Sequence, residues 1–148
     1  MLNSLLESTP IPVLAKVAAF AERRQDVLAG NLANISTTDY RTRDLPVARF
    51  QEALRQAIAG RQGGAGSGGV SQASSAAAEP ATLEELFPRD LFRASEAEPA
   101  SLTFLDGNNR SIEAEVVQLS KNSLMQNYAL ELMLAQMRML ETVISERV

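Results

Sequence analysis

Three pairs of carboxylates lie close together along this 148-residue chain: Glu84 with Glu85, Glu113 with Glu115, and Asp39 with Asp44. Two carboxylates on either side of a scissile bond are the equipment of glycoside hydrolysis, one as acid and the other as base or nucleophile. Each pair also has a plainer reading, as a solvated face, a helix-start charge or a turn residue, and that reading is preferred. Arg23 and Arg24 with Arg41 and Arg43 are the nearest approach to a basic patch. Acidic neighbours make a solvated or inter-subunit ion-pair surface a better reading than a phosphate site. The chain has no Cys and no His, which removes thiolate nucleophiles, imidazole bases and the usual zinc sites. The Gly-rich run at 60–69 lacks the Lys of a phosphate-binding loop and reads as a linker. No enzyme, cofactor or metal site is therefore expected.

Charge narrows the class further. The formal net charge is −4, with +1 over residues 1–60, −4 over 61–109 and −1 over 110–148. No part has the basic excess of a nucleic-acid binder. No apolar run approaches the ~20 residues of a membrane span. The start, Met1 to Glu7, has neither the basic nor the apolar region of a cleaved secretory signal. Trp is absent and aromatics are two Tyr and five Phe, so thin seams between helices are expected rather than a thick core.

The elements that would position any site are helical. Pro10 and Pro12 allow a helix to begin after Ser8 or Thr9 as candidate N-caps. It is expected over about 12–35, with Leu14, Val17, Ala21, Leu28, Leu32 and Ile35 on one face and Lys16, Glu22, Arg23, Arg24 and Asp26 on the other. Ser36 to Asp39 should stop it. A second amphipathic piece runs from Val47 to Ile58, with Val47, Phe50, Leu54 and Ile58 as its stripe. Six of the eight glycines follow within 60–69, then a Ser/Ala-rich stretch to Pro80, the composition of a tether. Leu83, Leu86, Phe87, Leu91 and Phe92 form a small apolar cluster. Leu102 to Leu105 could be extended, and Asp106-Gly107-Asn108-Asn109 is a turn signal.

The last third is one long stripe. Ile112, Val116, Leu119, Ser123, Gln126, Leu130, Met133, Met137, Leu140 and Ile144 recur at alternating steps of four and three. No Gly or Pro interrupts Ser111 to Val148. At ~1.5 Å per residue this is a rod of roughly 55 Å. Asn109 or Ser111 could cap it, and Glu113 and Glu115 suit its positive end. A second, partial stripe of Val117, Leu124, Tyr128, Leu132, Met139 and Val143 flanks the first. Two apolar flanks require more than one helical neighbour.

Asn31 and Asn34 lie three apart at the end of the first helix, and Tyr40 follows the turn. One reading makes Asn34 a C-terminal cap and leaves Asn31 solvated. The other has both amides bonding a neighbouring helix and setting its register, as polar groups in a seam do. The run Arg24 to Leu45, containing Asn31-Leu32-Ala33-Asn34-Ile35-Ser36-Thr37-Thr38-Asp39-Tyr40-Arg41, resembles the N-terminal signature of bacterial flagellar rod and hook proteins. That signature has the form A-N-N/I-A-N-x-x-T-x-G-Y-K/R. The match departs at Thr38 and Asp39, where the family usually has Pro and Gly. Arg43-Asp44-Leu45 resembles the proximal-rod subtype. Asp106 to Asn109, Asn122-Ser123-Leu124, Tyr128 and the apolar end resemble the same subtype. About the first 58 and last 43 residues carry the likeness.

The resemblance implies a structural subunit of the proximal rod of the flagellar basal body. It implies export through the flagellar type III apparatus without a cleaved signal, a periplasmic location, and helical packing of paired terminal helices around a channel. The implied partners are further copies, other rod proteins, and the rod–MS-ring junction protein and export gate at the rod base, with no nucleic acid. Alternatives are another axial rod or hook protein, or a soluble helical adaptor of type III export. The expected fold is mainly α, with long N- and C-terminal helices pairing as an antiparallel coiled coil and an irregular middle with short extended pieces. Residues 1–58 form the N-terminal arm, 59–109 a flexible middle and 110–148 the C-terminal helix. Assembly-seam residues are expected to be Leu28, Leu32, Ile35, Ile112, Val116, Leu119, Leu130, Met133, Met137 and Leu140. Asn31, Asn34 and Tyr40 are expected to set register through polar contacts.

Overall fold

A computed structural model describes residues 9–65, 82–97 and 112–145, with side chains of 62–65 excepted. The order of elements is α1 (Ile11–Asn34), β1 (Arg43–Asp44), α2 (Val47–Ala65), α3 (Leu83–Leu86), a 3₁₀ turn (Arg89–Phe92), β2 (Ser95–Glu96) and α4 (Ile112–Ser145). The protein is mainly α-helical, and its dominant contact is α1 against α4. The bonds between them join Asn31 to Glu115 and Gln25 to Asn122, so the two helices run antiparallel.

The seam is built from small and polar side chains. Ala21, Leu28 and Asn31 are buried on α1, and Asn122 and Ala129 on α4. Glu115, Asn122 and Ala129 recur at steps of seven, as do Val17, Arg24 and Asn31, the repeat of coiled-coil packing. Ala21, fully buried, lets the helices approach closely. The expected stripe on α4 is displaced from this line. Leu119, Met133 and Leu140 are half-buried, but Ile112, Val116, Leu130 and Met137 are exposed. Each residue advances about 100° around a helix, so Leu130 stands a quarter-turn or so from Ala129. The large aliphatic side chains flank the intrachain seam instead of filling it. On α1, Leu28 is buried while Leu32 and Ile35 are half-buried.

The few aromatics are concentrated, and a core more than a seam results. Phe20 of α1 stacks on Phe50 of α2 with centroids 3.8 Å apart. Phe87 tilts against Phe50 at 5.3 Å, and Phe92 meets Phe20 edge-on at 6.1 Å. Val13, Val17, Leu45, Ala53, Ala57, Leu91 and Ala129 complete this cluster. Edge and tilted pairs such as Phe20–Phe92 and Phe50–Phe87 gain about 0.5–1.5 kcal/mol beyond area burial. The described parts of the middle, 59–65 and 82–97, carry helix and a short strand. Helix α2 continues through Gly60 to Ala65, past the expected end at Ile58. Residues 82–97 pack on α1 and α2, with Phe87 and Leu91 buried. Their helix α3 opens with a capping box: Thr82 Oγ1 accepts from the Glu85 amide, and Glu85 Oε2 accepts from the Thr82 amide at 2.8 Å.

The short sheet ties this middle piece to the end of α1. β1 and β2 are antiparallel, pairing Arg43 with Glu96 and Asp44 with Ser95. These are the extended pieces among the described residues; the ones expected at Leu102–Leu105, with the turn at Asp106–Asn109, lie outside them. So do the candidate caps Ser8, Asn109 and Ser111. Helix α1 opens on Pro10, whose carbonyl accepts from the Leu14 amide at 3.0 Å, without a side-chain cap. After α1 the chain turns through Asp39 at φ 59°. Asp tolerates this left-handed conformation better than most residues.

Candidate functional site

Asn31 is the centre of a polar cluster at the C-terminal end of α1. It is 1% exposed and its amide bonds on both sides. Oδ1 accepts from the Arg43 amide at 3.0 Å, and Nδ2 donates to the Arg43 carbonyl at 2.7 Å. A side-chain amide has the same donor and acceptor as a peptide group. Asn31 thus pairs with Arg43 as a further strand would, on the edge of β1. Oδ1 also accepts from the Tyr40 hydroxyl at 3.1 Å, and Nδ2 lies 3.4 Å from Glu115 Oε2 on α4. One residue thereby fixes the turn, the strand and the long helix together.

Arg24 forms the adjacent link. Its Nε and Nη2 donate to Asp44 Oδ1 and Oδ2 at 2.8 and 2.7 Å, a bidentate pair largely shielded from solvent. Nη2 also donates to Gln118 Oε1 on α4 at 3.2 Å. Asp44 Oδ1 accepts from the Leu45 amide at 2.7 Å as well. Burial pushes the Glu115 carboxyl above its ordinary pKa; the Asn31 hydrogen bond opposes this, Asp44 adds to it, and Arg24 opposes it. The arginines read as a surface are divided by the fold. Arg24 is an intrachain brace, Arg41 pairs with Glu96 at the surface, and Arg23 pairs with Asp26. Asp39 lies in the turn after α1, while the Asp44 carboxylate belongs to the brace.

A second buried amide lies farther along the seam. Asn122 donates from Nδ2 to the Ala21 carbonyl at 2.7 Å and to Gln25 Oε1 at 2.9 Å. Ser123 Oγ reaches the same Gln25 oxygen at 3.4 Å. Asn31 and Asn122 are therefore both bonded across the helix pair, through contacts within the chain. Tyr40 joins Asn31. Asn34 does not: it is exposed, and its Nδ2 donates to the Gly30 carbonyl of its own helix at 2.8 Å. Sequence reasoning gave no role to Gln25 or Gln118, did not link Arg24 to Asp44, and cited Asn122 only as part of the resemblance. The seven-residue steps Glu115–Asn122–Ala129 and Arg24–Asn31 were the available signal.

Toward the start of α1 the surface becomes apolar. Pro10, Val13 and Val17 of α1, Leu54 and Ile58 of α2, and Leu132 of α4 line a groove of about 470 Å³, with Arg61 at its rim. Exposed on α4 are Ile112, Val116, Leu130, Leu134 and Met137 to one side of the seam and Val117, Leu124, Tyr128 and Met139 to the other. Among the described residues there is no cluster of acids that could hold a metal, and no helix is long and apolar enough to cross a membrane. No protein-family model and no curated protein matches the chain.

Proposed function

We propose that the chain is a structural subunit of FlgB type in the proximal rod of the bacterial flagellar basal body. It assembles helically through its terminal helices into the torque-transmitting shaft of the periplasm. Its partners in this reading are further copies, other rod proteins, and the junction protein and export gate at the rod base. The observation that carries the reading is the apolar surface of α4 on both sides of the intrachain seam. Isolated exposed apolar residues are ordinary, but two rows of them along one helix mark interaction surfaces. The signature around Asn31 and Tyr40 supports the same reading, since its polar residues set the geometry in which those flanks are presented.

The double substitution Leu130→Asp with Met137→Asp tests it. Both side chains are partly exposed within the single chain, so the subunit should fold with little loss of stability. In an assembled wall each carboxylate would lie in an apolar contact, at a cost of several kcal/mol. The expected outcome is normal export and loss of swimming. Normal swimming would refute the reading. A wild-type chain that sediments as a closed, soluble dimer and no larger would favour an export adaptor.

A further inference from the structure

We propose that the apolar groove between α1, α2 and α4 receives the projecting end of α4, residues 136–145, from a second copy of the chain. The inference rests on the assembly reading above and names the surfaces that mate. The bonds across the seam fix the register: Asn31 is opposite Glu115, and Ala21 and Gln25 are opposite Asn122. By that register Ile11, the first residue of α1, comes level with about residue 135 of α4. The last ten described residues of α4, about 15 Å of helix, run on past it.

This projecting end continues the seam pattern. The seven-residue line Glu115, Asn122, Ala129 extends to Gln136 and Val143, so the face that α1 covers lower down is carried onward. Met137, Met139, Val143 and Ile144 there are between 45% and 60% exposed. Met137, Leu140 and Ile144 have the i, i+3, i+7 spacing by which an amphipathic helix enters a groove. The groove opens at the same end of the molecule, is apolar along Val13, Val17, Leu54 and Ile58, and has room for several such side chains.

Charge does not oppose the fit. Among the described residues lining the groove Arg61 alone is charged, and its Nη1 already donates to the Thr9 carbonyl. Glu141 borders the apolar side of the projecting end, while Arg138, at about 100° per residue, falls on the opposite side. A knob and a socket at different positions on one chain make a heterologous contact, which repeats from copy to copy unless it closes.

The absence of native Cys makes cross-linking clean. One full-length copy carries Ile58→Cys, in the wall of the groove, and another carries Leu140→Cys, midway along the projecting end. Mixed under mild oxidation, they should form roughly tenfold more covalent dimer than Ile58→Cys mixed with Glu131→Cys, a control facing away from the seam, because docking raises the effective concentration of the paired thiols. A chain carrying both substitutions should give a ladder of multimers. Self-association by sedimentation without this cross-link would overturn the proposal and leave the assembly reading intact. Absence of any self-association would sink both. A double variant that yields only internally linked monomer would overturn the proposal. So would efficient internal linkage between Leu5→Cys and Ile58→Cys, which would make the chain's own first residues the occupant.

Discussion

The two ends of the α1–α4 pair are held by opposite means. Near the C-terminus of α1 the contacts are polar, directional and saturated: Asn31, Tyr40, Arg24, Asp44, Gln118 and Glu115 bond one another or the backbone. Near its N-terminus they are apolar, with Val13, Val17, Phe20, Phe50 and Ala129 in one cluster beside an open groove. Polar bonds specify which residue faces which, because a one-turn slip would strand buried donors and acceptors. Apolar packing supplies most of the stabilisation but tolerates other partners of similar shape. Directional bonds thus concentrate toward one end of the helix pair and apolar packing toward the other.

The largest effect is expected in the apolar half. Phe50 is fully buried and touches three other rings. Phe50→Ala should cost about 3–5 kcal/mol by lost transfer and the cavity left behind. Urea unfolding monitored by circular dichroism measures it. A loss below that of the polar substitution described next would reverse the assignment of strength between the two ends.

In the polar half, Asn31→Leu keeps size and removes every bond. The Arg43 amide and the Tyr40 hydroxyl would lose their acceptor, at about 2–3 kcal/mol together. Tyr40→Phe removes only one donor and should cost about 1 kcal/mol. If Asn31 acts through register, Asn31→Leu should also weaken hydrogen-exchange protection of β1 more than that of the aromatic cluster. Equal loss at both would make it an ordinary core residue.

How much of this was legible from the sequence depends on the kind of signal. The terminal helices were readable because periodicity over 24 and 34 residues has few competing explanations. The face used on α4 was not. Leu130 and Ala129 are neighbours, and a heptad count favours the larger side chain; the fold favours the smaller, since close approach of α1 needs Ala and Asn at the contact. Asn31 and Tyr40 could be singled out, but not that they would bond each other or that the Arg43 backbone would complete the cluster. Arg24 and Asp44 are 20 residues apart, and no local pattern links them. Leu83, Leu86, Phe87, Leu91 and Phe92 could be read as a small apolar cluster, but not that Phe87 and Leu91 would bury in one core with Phe20 and Phe50.

Gly60 probes the same boundary. It lies inside α2, and nothing comes within 4 Å of where a Cβ would stand. Gly60→Ala should therefore stabilise the subunit by about 0.5–1 kcal/mol, as for a glycine in any helix interior. In a flexible linker the same change would be neutral. A thermal melt distinguishes the two, and an unchanged midpoint would return this segment to the tether.

The smallest effect concerns Glu115, which connects the polar cluster to α4. Its carboxyl is held above its ordinary pKa chiefly by burial against α1. A carboxyl raised in the folded state contributes stability below its unfolded pKa, and loses that contribution as pH rises through the folded value. Wild-type stability should thus carry a component that declines with rising pH just above the ordinary Glu range. Glu115→Gln retains an oxygen to accept from Asn31 and has no charge to desolvate. It should abolish that component and be slightly more stable than wild type at neutral pH, by less than about 1 kcal/mol given partial solvent screening. The comparison is a pair of urea midpoints measured across mildly acidic to neutral pH. If the variant and the wild type show the same slope, Glu115 is solvated in the folded protein. The polar end of the helix pair would then be held by Asn31, Arg24 and Asn122 without it.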